Sequence, residues 1–167
     1  MGADIHLVVE ASETEQFADP QAIAFFEWPR RSVLFAAMIN RHGHDGLIGA
    51  RGFPEPASGM ANFHYGLHVI DDDDMASALS MPSIVRSEAD EALLAGESHW
   101  LAYSNDFISA PAYSRCSWLT LSEFRRAIAE TDNVGVPMSL ECRLTIDMMA
   151  NIEASGYFCR MVFWFDL

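Results

Sequence analysis

The 167-residue chain contains no lysine, and all ten of its basic side chains are arginine. That excludes a P-loop lysine, a Schiff-base lysine and a lysine general base. Cysteine is scarce as well. Cys116, Cys142 and Cys159 are odd in number and widely spaced, which fits neither a disulfide framework nor a C-x-x-C metal or redox pair, and a reducing compartment suits them. Long apolar runs are missing. VLFAAMI at 33–39 falls far short of the ~20 residues of a membrane span. No basic segment followed by an apolar one stands at the start, so no signal peptide is expected. Positive charge is short too, giving a formal net charge of −14. So acidic a protein is repelled by nucleic acid and by anionic membranes, and neither is expected as a direct partner. A basic protein is the macromolecule that electrostatics permits.

What is present describes a globular protein. Half of the residues are apolar and 11% are aromatic, enough for one ordinary domain with a real core. The opening MGADIHLVVEA has period 2: Ile5, Leu7, Val9 and Ala11 on one face, Asp4, His6, Val8 and Glu10 on the other. This predicts a half-buried strand. ETEQFADP reads as a connection. QAIAFFEW and RRSVLFAAMIN read as helices parted by Pro29. RHGHDGLIGARGFPEPASG is rich in glycine and proline and reads as a long loop. NFHYGLHVI alternates and predicts a second half-buried strand, with His64 and His68 on its polar face. The acids of DDDDMASALS suit the start of a short helix.

SEADEALLAG predicts a helix with a capping-box-like start at Ser87 and Asp90 and a stop at Gly96. Residues 98–117 read as irregular and aromatic. TLSEFRRAIAE repeats the capping box with Thr120 and Glu123 and aligns Leu121, Phe124 and Ile128 on one stripe. SLECRLTIDMMANIEASG places Leu140, Leu144, Met148 and Ile152 at i+4 intervals, stops at Gly156 and predicts a helix. YFCRMVFWFDL is apolar on both faces, as a central, doubly covered strand is. With no repeat and no linker, residues 1–167 are expected to form a single α+β domain. Its small sheet should include the N- and C-terminal strands, with helices packed on the face bearing Ile5 and Leu7.

Four stretches, MGADIHLVVEA, RGFPEPAS, SWLTLSEF and RMVFWFD, resemble in the same order a family of small tailed-bacteriophage and prophage proteins. That family opens close to M-G-C-D-I-H, carries a middle R-G-L-P and a later H-S-W-L-T-L, and nears its end with V-F-W-F-D. The resemblance implies a phage-encoded protein acting in the host cytoplasm and implies no particular reaction. Ala3 stands where the family has cysteine, so a thiol there is not essential to this member, and Cys116 stands where the family has histidine.

Several residues are candidates for chemistry. On a strand, side chains at i and i+2 point the same way about 7 Å apart, so Asp4 and His6 suit a shared ligand. Asp4, His6, Arg51 and Ser58 are the candidate ligand-binding residues, with Glu10 in support. His6, Asp4, His64 and His68 are the candidate ligands of a divalent transition metal such as zinc, manganese or iron. The competing reading is a solvated strand face. His42, His44 and Asp45 in RHGHDG resemble metallohydrolase ligands but read better as solvated loop. Arg51, between a glycine and two prolines, suits an anion clamp or a tie to nearby carboxylates. Arg160 shares its strand parity with Trp164 and Asp166 and is expected to supply Asp4 or Glu10 with a counter-charge. Ser117 and Cys116 lack a recognisable base.

Two functions remain open, and so does the question of catalysis. One is an accessory protein with a polar site for a small-molecule ligand or a metal, of which a small hydrolase or transferase is the enzymatic form. The other is a non-enzymatic acidic protein that binds a basic host or defence protein, as an inhibitor or a nucleic-acid mimic.

Overall fold

A computed structural model describes residues 4–28, 51–73, 82–101, 106–111, 113–132 and 138–166. The expected features of RRSVLFAAMIN and RHGHDG, and the helix after Asp73, lie outside these residues, as does the side chain of Asp4. The architecture is a single α+β domain. Strands β1 (Asp4–Ser12), β2 (Gln21–Trp28), β6 (Tyr113–Thr120) and β7 (Phe158–Asp166) form an antiparallel sheet in the order β2-β1-β7-β6. Strands β3 (Gly66–Ile70), β4 (Ser83–Val85) and β5 (Phe107–Ser109) form a smaller sheet in the order β4-β3-β5. Among the described residues the helices are α1 (Gly59–Tyr65), α2 (Arg86–Ala95), α3 (Leu121–Asp132) and α4 (Leu140–Ala154). None is long and apolar enough to cross a membrane.

The terminal strands share one sheet and lie at its centre, as the pattern of β7 predicts. Ile5, Leu7 and Val9 of β1 stand in register with Phe165, Phe163 and Met161 of β7. On this face they pack against Leu121, Phe124 and Ile128 of α3 and Cys142 and Met149 of α4. The α3 capping box forms as its spacing implies: Glu123 Oε2 accepts from the Thr120 amide and the Thr120 hydroxyl accepts from the Glu123 amide.

The outer row of β1 is not a solvated face. Val8 and Glu10 are fully buried, because α1 and the 51–58 segment cover that side of the sheet together with Val162, Trp164 and Tyr65. QAIAFFEW is a strand and not a helix. A short apolar run satisfies either period, and pairing along β1 decides it. NFHYGLHVI is not one strand either. Ser58 caps α1 by accepting from the Ala61 amide, and the helix runs to Tyr65 before β3 begins. Gly66 marks the junction, where a Cβ would stand 2.8 Å from the Asn62 carbonyl oxygen and from Leu101 Cδ1. Two strands, β5 and β6, also begin within residues 98–117.

One helix start differs from expectation. Helix α2 starts without a side-chain cap of its own, and Asp72 supplies the acceptor for the Ser87 amide and hydroxyl. Helix α4 buries Cys142, Thr145 and Met149, while Leu140 and Leu144 are 61% and 55% exposed. Of the i+4 row, only Met148 and Ile152 pack against the core.

Candidate functional site

The register of the large sheet builds a polar row on its α1 side. His6 stands opposite Glu27 of β2 and opposite Trp164 of β7, and Tyr113 of β6 lies opposite Asp166. The His6 ring is packed among Phe25, Tyr113 and Trp164 at centroid distances of 6.2, 5.6 and 5.8 Å. From α1, His64 stacks on Phe25 at 3.8 Å with the planes within 5°. His6 is thus largely enclosed by rings, with a side chain 13% exposed.

Carboxylates stand above this floor. Glu27 Oε1 lies 3.8 Å from His6 Nδ1, and Asp166 Oδ2 lies 4.0 Å from His6 Nε2. Both acids are well exposed. Burial, and then the neighbouring His6, push the His64 pKa down against the opposing pull of Glu27, so this imidazole is neutral at pH 7. Burial, with Asp166 and Glu27 behind it, pushes the Tyr113 phenol up. The mouth of the cluster thus holds negative charge, and no arginine among the described residues pairs with it. Beneath it, His6 Nε2 and Trp164 Nε1 are buried without a hydrogen-bond partner among the described residues.

The other candidates serve the fold. Glu10 and Arg160 are a buried cross-strand pair: Arg160 Nε donates to Glu10 Oε2 at 2.7 Å, and Glu10 Oε1 accepts from the Ser58 amide at 2.7 Å. Arg160 Nη2 donates to the Pro56 carbonyl, and its guanidinium lies 4.2 Å from the centre of the Phe17 ring. The expected counter-charge for Glu10 is therefore in place. Ser58 is 3% exposed, and its hydroxyl is occupied as the α1 cap. Arg51 does not join His6. It forms a two-pronged bond with Glu123, donates to the Trp118 carbonyl and lies over the Trp118 ring at 4.3 Å, while its amide donates to Ser117 Oγ. Those contacts match the tie to nearby carboxylates and not an open anion clamp.

The expected metal ligands are dispersed. His64 is helical, and His68 lies in the smaller sheet, opposite Ser83 and Phe107. Among the described residues no group of three or more histidine, cysteine, aspartate or glutamate side chains is arranged to hold a metal ion. Cys116 is buried, and its thiol is pushed well above its ordinary pKa, chiefly by desolvation, which makes it inert as a nucleophile. Sequence reasoning missed Glu27, Phe25 and Tyr113. Reading QAIAFFEW as a strand would have placed Phe25 and Glu27 on one face, but pairing them with His6 needed the register. No family model, curated protein or solved structure matches the chain.

Proposed function

We propose that this chain is a non-enzymatic acidic interaction protein, a phage product that binds a basic host or defence protein. In this reading Glu27 and Asp166, above the rings around His6, receive a cationic side chain of the partner. The observation that carries it is the placement of two exposed carboxylates within 4.0 Å of the nitrogens of a His6 ring enclosed by aromatic side chains. A guanidinium or ammonium there gains ion pairing and cation–π attraction together. The charge balance supports it further: Arg51, Arg86 and Arg160 each pair with a carboxylate of the chain itself, and the chain as a whole carries a net charge of −14.

Titration calorimetry with a hexa-arginine peptide tests this. Binding is expected to weaken steeply between about 0.05 and 0.5 M salt, where the screening length shrinks to a few ångströms. The double variant Glu27→Gln, Asp166→Asn is expected to bind about tenfold more weakly. Salt-insensitive binding, or an unchanged affinity in the double variant, removes the reading.

A second reading rests on a different observation. His6 Nε2 and Trp164 Nε1, buried on neighbouring strands without a hydrogen-bond partner among the described residues, suit a small polar ligand that accepts from the indole N–H. A hydrolase or transferase is the enzymatic form of that reading. Native mass spectrometry of the purified protein separates it from the first: a stoichiometric small molecule, lost in His6→Ala, favours it.

A further inference from the structure

Helix α4 carries an apolar row that the described residues cover only in part. Leu140, Leu144, Met148 and Ile152 recur every four residues, so they line one side of the helix over about 18 Å. Met148 and Ile152 pack partly against the core beside the buried Cys142, Thr145 and Met149, and the N-terminal half of the row stands open, with Leu140 61% and Leu144 55% exposed. The C-terminal half does not end in solvent. Met148 and Ile152 form one wall of a groove of about 800 Å³, whose other wall is the end of β1, the turn after it and Ile23 of β2. Ile23 and Tyr157, both in that groove, are 49% and 45% exposed. A ridge of leucines thus runs into a trough with an apolar floor.

The charge around this feature has one dominant sign. Glu13 and Asp19 stand in the groove lining, which includes no arginine. Asp147 and Glu153 are exposed on α4, against the single Arg143 of that helix. We infer that the ridge and groove form a docking site for a basic amphipathic helix of about three turns, contributed by a protein partner. Its apolar face covers Leu144, Met148 and Ile23, and its cationic flanks meet Glu13, Asp19 and Glu153. A second copy of this chain fits poorly, because it would bring two acidic surfaces of net charge −14 together. An anionic lipid surface is repelled for the same reason. The inference deepens the reading of the chain as a binder of basic proteins and rests on it. The groove touches β1 at Ala11 and Ser12, while the carboxylate-rimmed cluster lies at His6, about 17 Å along the same strand. The groove lies on the α4 face of the sheet and the cluster on its α1 face, so they are two separate sites on opposite faces.

The test uses the full chain and two labelled peptides of about 18 residues and identical leucine–lysine composition, one amphipathic as a helix and one scrambled. At about 0.15 M salt the amphipathic peptide is expected to bind at least tenfold more tightly than the scrambled one. Leu144→Gln combined with Ile23→Thr, both at exposed positions and checked for folding by circular dichroism, is expected to remove that advantage while leaving hexa-arginine affinity unchanged. Equal affinity for the two peptides overturns the inference, as does an advantage that survives the variant. A concentration-dependent dimer abolished by Leu144→Gln assigns the ridge to a second copy and overturns it too. Loss of hexa-arginine binding in Glu27→Gln, Asp166→Asn with the peptide preference intact supports two separate sites. A preference for the amphipathic peptide in a wild-type chain that does not bind hexa-arginine removes the His6 reading and keeps the groove.

Discussion

Two glutamate–arginine pairs pin the 51–58 segment to the large sheet, one at each end, and they are built in opposite ways. At Pro56 and Ser58, Glu10 and Arg160 are 0% and 5% exposed, and every polar atom of the pair that has a described contact is spent on the segment or on the partner. At Arg51 the pair with Glu123 has side chains 30% and 20% exposed and shares its carboxylate with the α3 capping box. The difference teaches where each energy lies. For the exposed pair, water competes for both charges, and the geometry chiefly places a loop. For the buried pair, desolvation has removed water as an alternative, so each charge depends on the other.

The sharpest way to break the contrast is Glu10→Ala. It strands a buried guanidinium and leaves the Ser58 amide without its acceptor, and it is expected to cost about 3–5 kcal/mol in urea unfolding. A loss below about 1 kcal/mol would show that the pair is not a desolvated unit. Removing both charges with Glu10→Leu, Arg160→Met is expected to cost less than the single change, about 1–3 kcal/mol. What remains is the loss of partners for the Ser58 amide and the Pro56 carbonyl. If the two single losses simply add in the double variant, the coupling is refuted.

The exposed pair should answer to pH. Burial raises the Glu123 carboxyl, but the hydrogen bonds from Arg51 and Thr120 outweigh it and hold the pKa below its ordinary value of 4.5. Because the folded value is the lower one, the contribution is complete above about pH 4.5 and is lost as pH falls through the folded value. Screening limits it to no more than about 1 kcal/mol. Glu123→Gln is expected to flatten that part of the stability–pH curve, and an unaltered slope between about pH 5 and 3 would count against the assignment. Smallest of all, Arg51→Lys keeps the charge but loses the fork and the stacking on Trp118, at a cost of under about 1 kcal/mol that shrinks further in high salt.

The same two pairs mark how far the chain could be read unaided. The Thr120–Glu123 box lies within four residues, so its spacing states its geometry, and the doubly apolar β7 announces a central strand. Arg160 could be matched to Glu10 because both strands were legible and parity does the rest. Arg51 could be read only as clamp or tie, since the choice depended on Glu123, 72 residues away. The failures share one cause. QAIAFFEW satisfies two periods at once, and NFHYGLHVI runs across a helix–strand junction. In each case tertiary contact decided what local pattern left open. The carboxylates over His6 were hidden for the same reason, because Glu27 reaches His6 only through the register of β2.

The central ladder between β1 and β7 joins residues about 150 positions apart in the chain. A ribosome adding about 5–20 residues per second needs on the order of ten seconds or more to make that stretch. Throughout that interval the β1 ribbon of Ile5, Leu7, Val8 and Val9 has emerged without the strand that covers its inner edge. Closing so wide a loop is entropically slow, and topologies of this kind fold late and all at once. For a cell making the protein quickly, solubility during synthesis is then set by how well the waiting β1–β2 ribbon resists pairing with its neighbours. The abundance of negative charge on the growing chain is what keeps such ribbons apart.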